Sequence, residues 1–199
     1  MVLKELNNNM NLVMSDVYQT VPLPNNTVLS GLFPTIDWFN TINRYISFRD
    51  KTVLDLGCCE FSYGVQALVH KAEHVTGIDN DLKRIDQSKQ VIDAWSFGNQ
   101  TKLIHSDIET WQPDKHYDIT IFSMIIHWLK DPAMHIIRLF NIMDTAILIY
   151  RLPEKDMPGY RPSIVELSTL LGREPMIQKV LMDTPTQHIG LVIYDKKDI

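Results

Sequence analysis

Short apolar runs alternate with amphipathic helical patterns through most of the chain. Runs that are apolar at almost every position are typical of strands buried on both faces of a parallel sheet. The pattern predicts strands over residues 52–56, 74–78, 102–105, 117–123 and 145–150. Helical spacing of apolar residues predicts helices over residues 36–48, 63–71, 81–97, 132–141 and 163–171.

The last part of the chain follows a different pattern. Two extended runs, 177–182 and 189–195, flank a turn at 184–187, which predicts an antiparallel hairpin at one sheet edge. Strands that alternate with helices imply parallel pairing and right-handed crossovers. The predicted fold class is therefore α/β: a single doubly wound, Rossmann-like domain with a mostly parallel seven-stranded sheet and a C-terminal antiparallel hairpin.

The N-terminal stretch lacks this alternation. It is rich in asparagine, and residues 21–31 hold two prolines, an Asn-Asn pair and a final glycine, which predicts turns and a short extended piece. We interpret residues 1–34 as an N-terminal extension or lid and residues 35–199 as the domain itself.

Composition narrows the class of protein. A chain of 199 residues with 45% hydrophobic and 22% charged residues is ordinary for one globular domain. The formal net charge of -5 gives no global electrostatic footprint for nucleic acid. We expect no signal peptide, and no run approaches the roughly 18 apolar residues of a membrane span, so no membrane partner is expected.

The only two cysteines, Cys58 and Cys59, are adjacent. Neighbouring cysteines without CxxC spacing make a poor zinc site and no disulfide framework. We therefore expect no metal, and a reducing cytoplasm as the location.

Acidic residues and a glycine-led turn follow the predicted strands. In a doubly wound sheet, ligands bind beyond the carboxyl ends of the strands. The residues at those ends are Asp55 to Gly57, Asp79, Asp107, and the pair Ser123-Met124. An aspartate after a strand often caps the next helix instead, as Asp81 could. Three acids at corresponding strand ends nevertheless favour a binding site.

The charges at this edge favour one kind of ligand. A dinucleotide fingerprint needs G-x-G-x-x-G, but the loop reads GCCEFSYG, with only its first glycine in register. Pyrophosphate requires bare backbone at a helix N-terminus, and we expect Cys59, Glu60 and Phe61 to crowd that approach. Asp55 would repel a phosphate but suits a cationic amino group. An acid at position 79 can accept ribose hydroxyls, so a ligand with adenosine at one end and a cationic amino acid at the other fits: S-adenosylmethionine.

The order of these motifs carries a family resemblance. The stretches DLGCCEFSYG, GIDND, HSDIETW and YDITIFSMIIHWLKDP resemble the class I S-adenosylmethionine-dependent methyltransferases over residues of about 35–199. The usual first motif of that class is D-x-G-C-G-x-G, so Cys59 and Phe61 replace its second and third glycines. A narrower resemblance, in YQTVPLPNNTVLSGLFPTIDWF and FSMIIHWLKDP, is to the tRNA wobble-uridine (5-oxyacetate) carboxymethyltransferase-like branch.

The resemblance implies roles for individual residues. Asp55 and Gly57 fall at the methionine end of the cofactor, Asp79 at the ribose, and Asp107 with Ile108 at the adenine. Ser123 and Met124 fall near the reacting sulfonium. The full set of implied cofactor-binding residues is Asp55, Gly57, Cys58, Cys59, Asp79, Asn80, Asp107, Ile108, Ser123 and Met124.

Methyl transfer asks little more of the protein than alignment of the two reacting atoms, about 3–3.5 Å apart, in a dry pocket. A general base is optional. His127 is the best candidate for one, because histidine titrates near neutrality. The alternative is a histidine satisfied by backbone in the turn after the strand.

Two functions remain open. The first is methyl transfer to an oxygen or nitrogen of a small molecule or a tRNA base. The second is a non-catalytic methyltransferase-like protein that acts as a binding partner or regulatory scaffold. A nicotinamide-dependent oxidoreductase is disfavoured by the glycine pattern and by Asp55.

Ordinary S-adenosylmethionine is favoured over its carboxylated form, since only Arg44 and Arg49 are basic between Lys4 and Lys51. The oligomeric state is left open.

Overall fold

A computed structural model describes residues 14, 16–151, 162–184 and 187–196. Its strands are β1 Val21–Leu23, β2 Thr27–Leu29, β3 Thr52–Leu56, β4 His74–Asp79, β5 Thr101–His105, β6 Tyr117–Ser123, β7 Met143–Arg151, β8 Ile177–Thr184 and β9 Gln187–Asp195. Its α-helices are α1 Thr35–Ile42, α2 Ser62–Val69, α3 Leu82–Trp95, α4 Pro132–Phe140 and α5 Ile164–Leu171.

Seven of these strands form one sheet in the order β5-β4-β3-β6-β7-β9-β8. Strands β3 to β7 pair in parallel, whereas β9 is antiparallel to both β7 and β8. The predicted doubly wound sheet and its antiparallel hairpin are therefore confirmed. Chain order reverses at β3, which lies between β4 and β6, and ligands in such sheets bind beside this reversal.

Apolar clusters cover both faces of the sheet. Successive residues of a strand point to opposite faces, so Val53 of β3 packs with the cluster under α1, α2 and α3, whereas Leu54 packs with that under α4 and α5. Both side chains are fully buried. Burial on both faces explains why the sequence of these strands is continuously apolar.

The first helix is shorter than its apolar spacing predicts. Helix α1 ends at Ile42, so the prediction of a helix to residue 48 is wrong. Ile46 and Phe48 are nevertheless buried, and the Phe48 ring stacks on Phe39 with centroids 4.8 Å apart. The apolar spacing beyond Ile42 therefore reflects a loop that folds back onto the core.

Two other helix starts follow their sequence signals. Asp81 caps α3 by accepting a hydrogen bond from the Lys83 N–H at 2.8 Å. Ser163 and Glu166 form a capping box at the start of α5. Within the described ranges, no helix is both long enough and apolar enough to cross a membrane.

The described part of the N-terminal stretch lies against the domain. Strands β1 and β2 form a small antiparallel hairpin around a turn in which Asn25 is left-handed, with φ of 61°. The Trp95 indole N–H donates to the Pro22 carbonyl at 3.0 Å, which ties the hairpin to α3. The predicted turns and short extended piece are confirmed here, and residues 1–13 and 15 lie outside the described part.

Candidate functional site

A cavity of about 600 Å³ opens at the carboxyl ends of the central strands. Eight of the ten residues that the sequence assigned to a cofactor line it: Gly57, Cys59, Asp79, Asn80, Asp107, Ile108, Ser123 and Met124. The remaining lining residues are Tyr18, Gln19, Asp81, Arg84, Glu109, Ile125, Trp128, Leu129 and Lys130. The topological reversal at β3 thus brings together residues from four strand ends and from the N-terminal stretch.

Three predicted site residues lie off the cavity wall. Asp55 and Cys58 are fully buried beneath the loop that follows β3. His127 lies in the short 3-10 helix after β6, half-buried, with its ring 5.2 Å from that of Trp128. Trp128 lines the cavity, whereas His127 is not among the described lining residues. Their roles toward a ligand stay predictions.

The loop after β3 takes left-handed backbone at each position where the class motif has glycine. The φ angles are 68° at Gly57, 51° at Cys59 and 65° at Phe61. Glycine adopts this conformation without steric cost, whereas a Cβ is disfavoured in it. A Cβ at Gly57 would also lie 2.8 Å from Ile125 Cδ1. The two substitutions therefore keep the path of the loop and strain it locally.

The Phe61 side chain does not crowd the cavity. Its ring is fully buried, and a Cβ added at Gly64 or Gly77 would lie 2.3 Å or 2.7 Å from ring atoms. The ring therefore fills the space that the missing side chains of these two glycines leave between α2 and β4. The expectation that Phe61 blocks the approach of a ligand is wrong, because the left-handed turn directs the ring into the core.

Glu60 also points away from the cavity. Its side chain is fully buried and forms an ion pair with Arg84. It also accepts hydrogen bonds from the backbone N–H groups of Tyr18 and Gln19, each at 2.9 Å. The expectation that Glu60 crowds the ligand approach is wrong, because its side chain is buried and its charge is neutralised behind the loop.

Asp79 links the loop to the cavity. One carboxylate oxygen accepts from the Cys59 N–H at 2.9 Å and the other from the Asp81 N–H at 2.9 Å. Burial raises the pKa of Asp79, and these two backbone hydrogen bonds oppose the shift. Each oxygen can accept a further hydrogen bond. Asp79 thus fixes the loop while keeping acceptor capacity toward the cavity that it lines.

Asp55 is a buried carboxyl group whose oxygens form no well-aligned hydrogen bond. Its side chain is 0% exposed, and neither oxygen has a partner of acceptable geometry. Burial, with the charge of Asp79 as a second cause, raises the pKa of Asp55 to about 7, and the Gly64 N–H opposes this. An unsatisfied acid of this kind fits a nearby cationic group, which would favour its charged form.

The cavity is acidic. Its two lining cations are both engaged: Arg84 pairs with Glu60, and the Lys130 Nζ lies 3.3 Å from Glu109. In the described structure, Asp79, Asp81 and Asp107, which also line it, form no ion pair, and no group of three or more His, Cys, Asp or Glu could hold a metal ion. This balance favours a cationic ligand and disfavours pyrophosphate.

Sequence reasoning missed the lining residues that come from outside the strand ends. Tyr18 and Gln19 reach the cavity from the N-terminal stretch, whose narrower family resemblance implies no lining role for either residue. Arg84 was detectable, because Asp81 as N-cap fixes the first turn of α3 and places Arg84 beside the loop. Trp128 also lines the cavity from the turn after β6, and this residue is 77% exposed.

The sequence of this chain is similar to that of known methyltransferases. Residues 53–142 match the family model of a methyltransferase domain. A ribosomal protein L11 methyltransferase from Idiomarina loihiensis is 31% identical over 117 residues, which cover 57% of this chain. The match spans only 39% of the length of that protein.

Solved structures resemble most of this chain in fold. Magnesium protoporphyrin IX methyltransferase from Synechocystis PCC 6803, with bound S-adenosylmethionine, has a TM-score of 0.63 and 18% identity, covering 80% of this chain and 74% of that one. An S-adenosylmethionine-dependent methyltransferase from Mesorhizobium loti has a TM-score of 0.63 and 13% identity, covering 79% and 96%. The chain therefore has the α/β, Rossmann-like methyltransferase fold, and its residues 53–142 are similar to a methyltransferase domain.

Proposed function

We propose that this protein is an S-adenosylmethionine-dependent methyltransferase that methylates an oxygen or nitrogen of its acceptor. The acidic cavity at the sheet reversal, with the unsatisfied carboxyl of Asp55 beneath its left-handed loop, is the observation that supports this most. An adenosyl sulfonium with an amino-acid tail matches that charge pattern, whereas a dinucleotide does not.

Individual residues have a physical reason for their proposed roles. Asp79 offers acceptor oxygens to the ribose, and Ile108, which is 6% exposed, offers an apolar surface beside Asp107 for the adenine. Gly57 gives the backbone its close approach, and Asp55 supplies the charge that an ammonium group requires. When bound, the cofactor supplies an electrophilic methyl group on sulfur.

The residues after β6 form the wall near which transfer is proposed to occur. Met124 is left-handed, with φ of 56°, and its N–H donates to the Ile149 carbonyl at 2.7 Å. This bond fixes the wall, which lets the protein orient an acceptor and exclude water from it. Cys58 is buried away from the cavity, so its proposed contribution is to support the loop.

The balance of cations favours ordinary S-adenosylmethionine over a carboxylated form. An extra carboxylate would need a basic partner, and both lining cations, Arg84 and Lys130, already hold carboxylates. The same argument favours a neutral or cationic small molecule as acceptor. A tRNA base is the second candidate, supported by the wobble-uridine branch resemblance of residues 18–39. A cytoplasmic location stays our expectation from the two free thiols.

Calorimetric titration tests the proposal directly. We expect S-adenosylmethionine and S-adenosylhomocysteine to bind with micromolar affinity and NAD not to bind. Asp79→Ala should weaken the binding of both S-adenosyl ligands by about 100-fold or more. The substitution removes the acceptors for the ribose and leaves the Cys59 and Asp81 N–H groups without their carboxylate. Asp86→Ala, an exposed aspartate on the neighbouring helix, is the matched control and should bind normally.

The same titration separates the two functions. Absence of binding up to millimolar S-adenosylmethionine and S-adenosylhomocysteine would contradict the enzyme proposal and leave a non-catalytic scaffold. If both bind, transfer of a labelled methyl group to bulk tRNA, compared with a metabolite extract, identifies the acceptor class.

The proposed base is tested by His127→Ala. We expect methyl transfer to fall by about 100-fold or more while cofactor affinity stays unchanged, because a positioned base acts only in the chemical step. His116→Ala, an exposed histidine paired with Asp144, is the control. Retained activity in His127→Ala would remove the general-base role.

A further inference from the structure

Part of the cavity wall comes from a segment that precedes the methyltransferase domain match. Tyr18 and Gln19 line the cavity, whereas the match begins at residue 53. The Tyr18 ring also packs on Phe33, with centroids 4.8 Å apart. A wall built from such a distant segment must be held in place by contacts to the motif loop.

One buried carboxylate makes the central contacts. Glu60 is 0% exposed, and its two oxygens accept from the Tyr18 N–H and the Gln19 N–H, each at 2.9 Å. The Arg84 guanidinium pairs with the same carboxylate. A buried carboxylate is stable only when its charge is paired and its oxygens are hydrogen-bonded, and both conditions are met here.

Arg84 joins a third element to this arrangement. It donates to the Asp16 carbonyl at 2.9 Å and to the Gln87 side-chain oxygen at 3.1 Å. Its side chain, 20% exposed, also lines the cavity. The Glu60–Arg84 pair therefore connects the motif loop, α3 and residues 16–19.

Further hydrogen bonds seat the segment on the start of α2. The Ser62 N–H donates to the Gln19 side-chain oxygen at 3.0 Å, and the Ser62 hydroxyl donates to the Thr20 carbonyl at 2.7 Å. These bonds orient Gln19 and Thr20, but they leave the Tyr18 and Gln19 N–H groups to Glu60 alone.

We propose that Glu60 is a positioning residue that holds Tyr18 and Gln19 as a wall of the cofactor cavity and so slows release of the cofactor. This role of Glu60 rests on the proposed function. It gives the lid role expected for residues 1–34 to one described segment, residues 16–19. The left-handed residues Cys59 and Phe61 on either side direct Glu60 away from the cavity and toward this segment.

Glu60→Gln is the most direct variant, because it keeps the side-chain shape. One oxygen becomes an amide NH2 that faces a backbone N–H, so at least one of the two hydrogen bonds is lost. We expect S-adenosylhomocysteine to dissociate about tenfold faster or more, with a matching loss of affinity. Stopped-flow displacement and calorimetry measure the two quantities. Glu73→Gln, at an exposed glutamate before β4, should leave both unchanged.

Hydrogen exchange supplies a readout that reports the wall itself. The amides of Tyr18 and Gln19 should exchange slowly in the wild type and faster in Glu60→Gln, and S-adenosylhomocysteine should slow them in the wild type. Glu60→Gln/Arg84→Met should lose the same protection as Glu60→Gln, because the Tyr18 and Gln19 N–H groups lose their carboxylate acceptor in both proteins. The double variant also removes the Arg84 cation, which Glu60→Gln alone leaves without its carboxylate, and this guards against a mere failure to fold.

Unchanged exchange at Tyr18 and Gln19 in Glu60→Gln, or unchanged dissociation of S-adenosylhomocysteine, would overturn the inference. Failure of the proposed function is distinguishable from this result. In that case the wild type itself would bind no S-adenosylhomocysteine, whatever the exchange rates of the two amides.

Discussion

Replacing Phe61 with glycine is expected to destabilise the fold by about 1–4 kcal/mol, although glycine is the residue that the class I motif has at this position. Glycine relieves the steric strain of the left-handed backbone, where φ is 65°, and this favours the variant by about 1–2 kcal/mol. Loss of a fully buried phenylalanine ring disfavours it by about 3–5 kcal/mol, and the second effect is larger.

The destabilisation caused by losing the Phe61 ring is large because the neighbouring backbone cannot move in to fill the space. Gly64 and Gly77 present only backbone to the ring, at positions where a Cβ would lie 2.3 Å and 2.7 Å from ring atoms. Gly64 belongs to α2 and Gly77 to the interior of β4, so neither can move inward without disrupting its hydrogen bonds. The variant therefore keeps a cavity between helix and sheet.

Urea unfolding followed by circular dichroism measures this effect. Cys59→Gly is the matched control, because Cys59 is also left-handed, with φ of 51°, but has a small side chain at the cavity wall. It should be neutral or more stable by up to about 1 kcal/mol, since strain is relieved with little loss of packing. A Phe61→Gly protein as stable as the wild type would contradict the packing argument.

The fold was predictable because its determinants are local. Strand β6 was predicted with the observed bounds, 117–123, since a strand buried on both faces is apolar along its whole length. The predicted helix over 36–48 was too long, because Ile46 and Phe48 continue the apolar spacing of α1 although they lie in a loop that packs on the core. Periodicity reports which residues are buried, and it does not by itself report the backbone that buries them.

The cavity was predictable only where it is built from strand ends. Topology alone brings Asp79, Asp107 and Ser123 to one edge, so their positions followed from the strand assignments. The directions of Glu60 and Phe61 depend on left-handed backbone at non-glycine residues, which propensity disfavours. The contact of Glu60 with Gln19 joins residues 41 positions apart, and no local pattern reports it.

Asp55→Asn is expected to stabilise the fold by up to about 4 kcal/mol above neutral pH. The folded-state pKa of Asp55 is raised from 3.8 to about 7, chiefly by burial. Between these values the folded protein binds a proton that the unfolded chain has lost, so stability falls as pH rises from about 4 to about 7. Asparagine removes this dependence, because its amide does not ionise.

Urea unfolding of both proteins across this range gives the test. The difference in free energy of unfolding should be small near pH 4, should grow through pH 7 and should then level off. Asp86→Asn, at an exposed position, should show no such trend. A difference that is independent of pH would mean that Asp55 is not titrating in the folded protein.

The same substitution should weaken cofactor binding, which explains a destabilising acid at this position. A cationic amino group near Asp55 favours the charged carboxylate, so in the wild type binding should strengthen as pH rises through about 7 and should release a proton below it. Calorimetry in buffers of different ionisation enthalpy detects that proton. In Asp55→Asn, affinity for S-adenosylhomocysteine should be lower above neutral pH, and the Asp55 contribution to its pH dependence should disappear. Equal affinity of both proteins at pH 8 would place the ammonium group away from Asp55 and leave that acid without a role in the cofactor site.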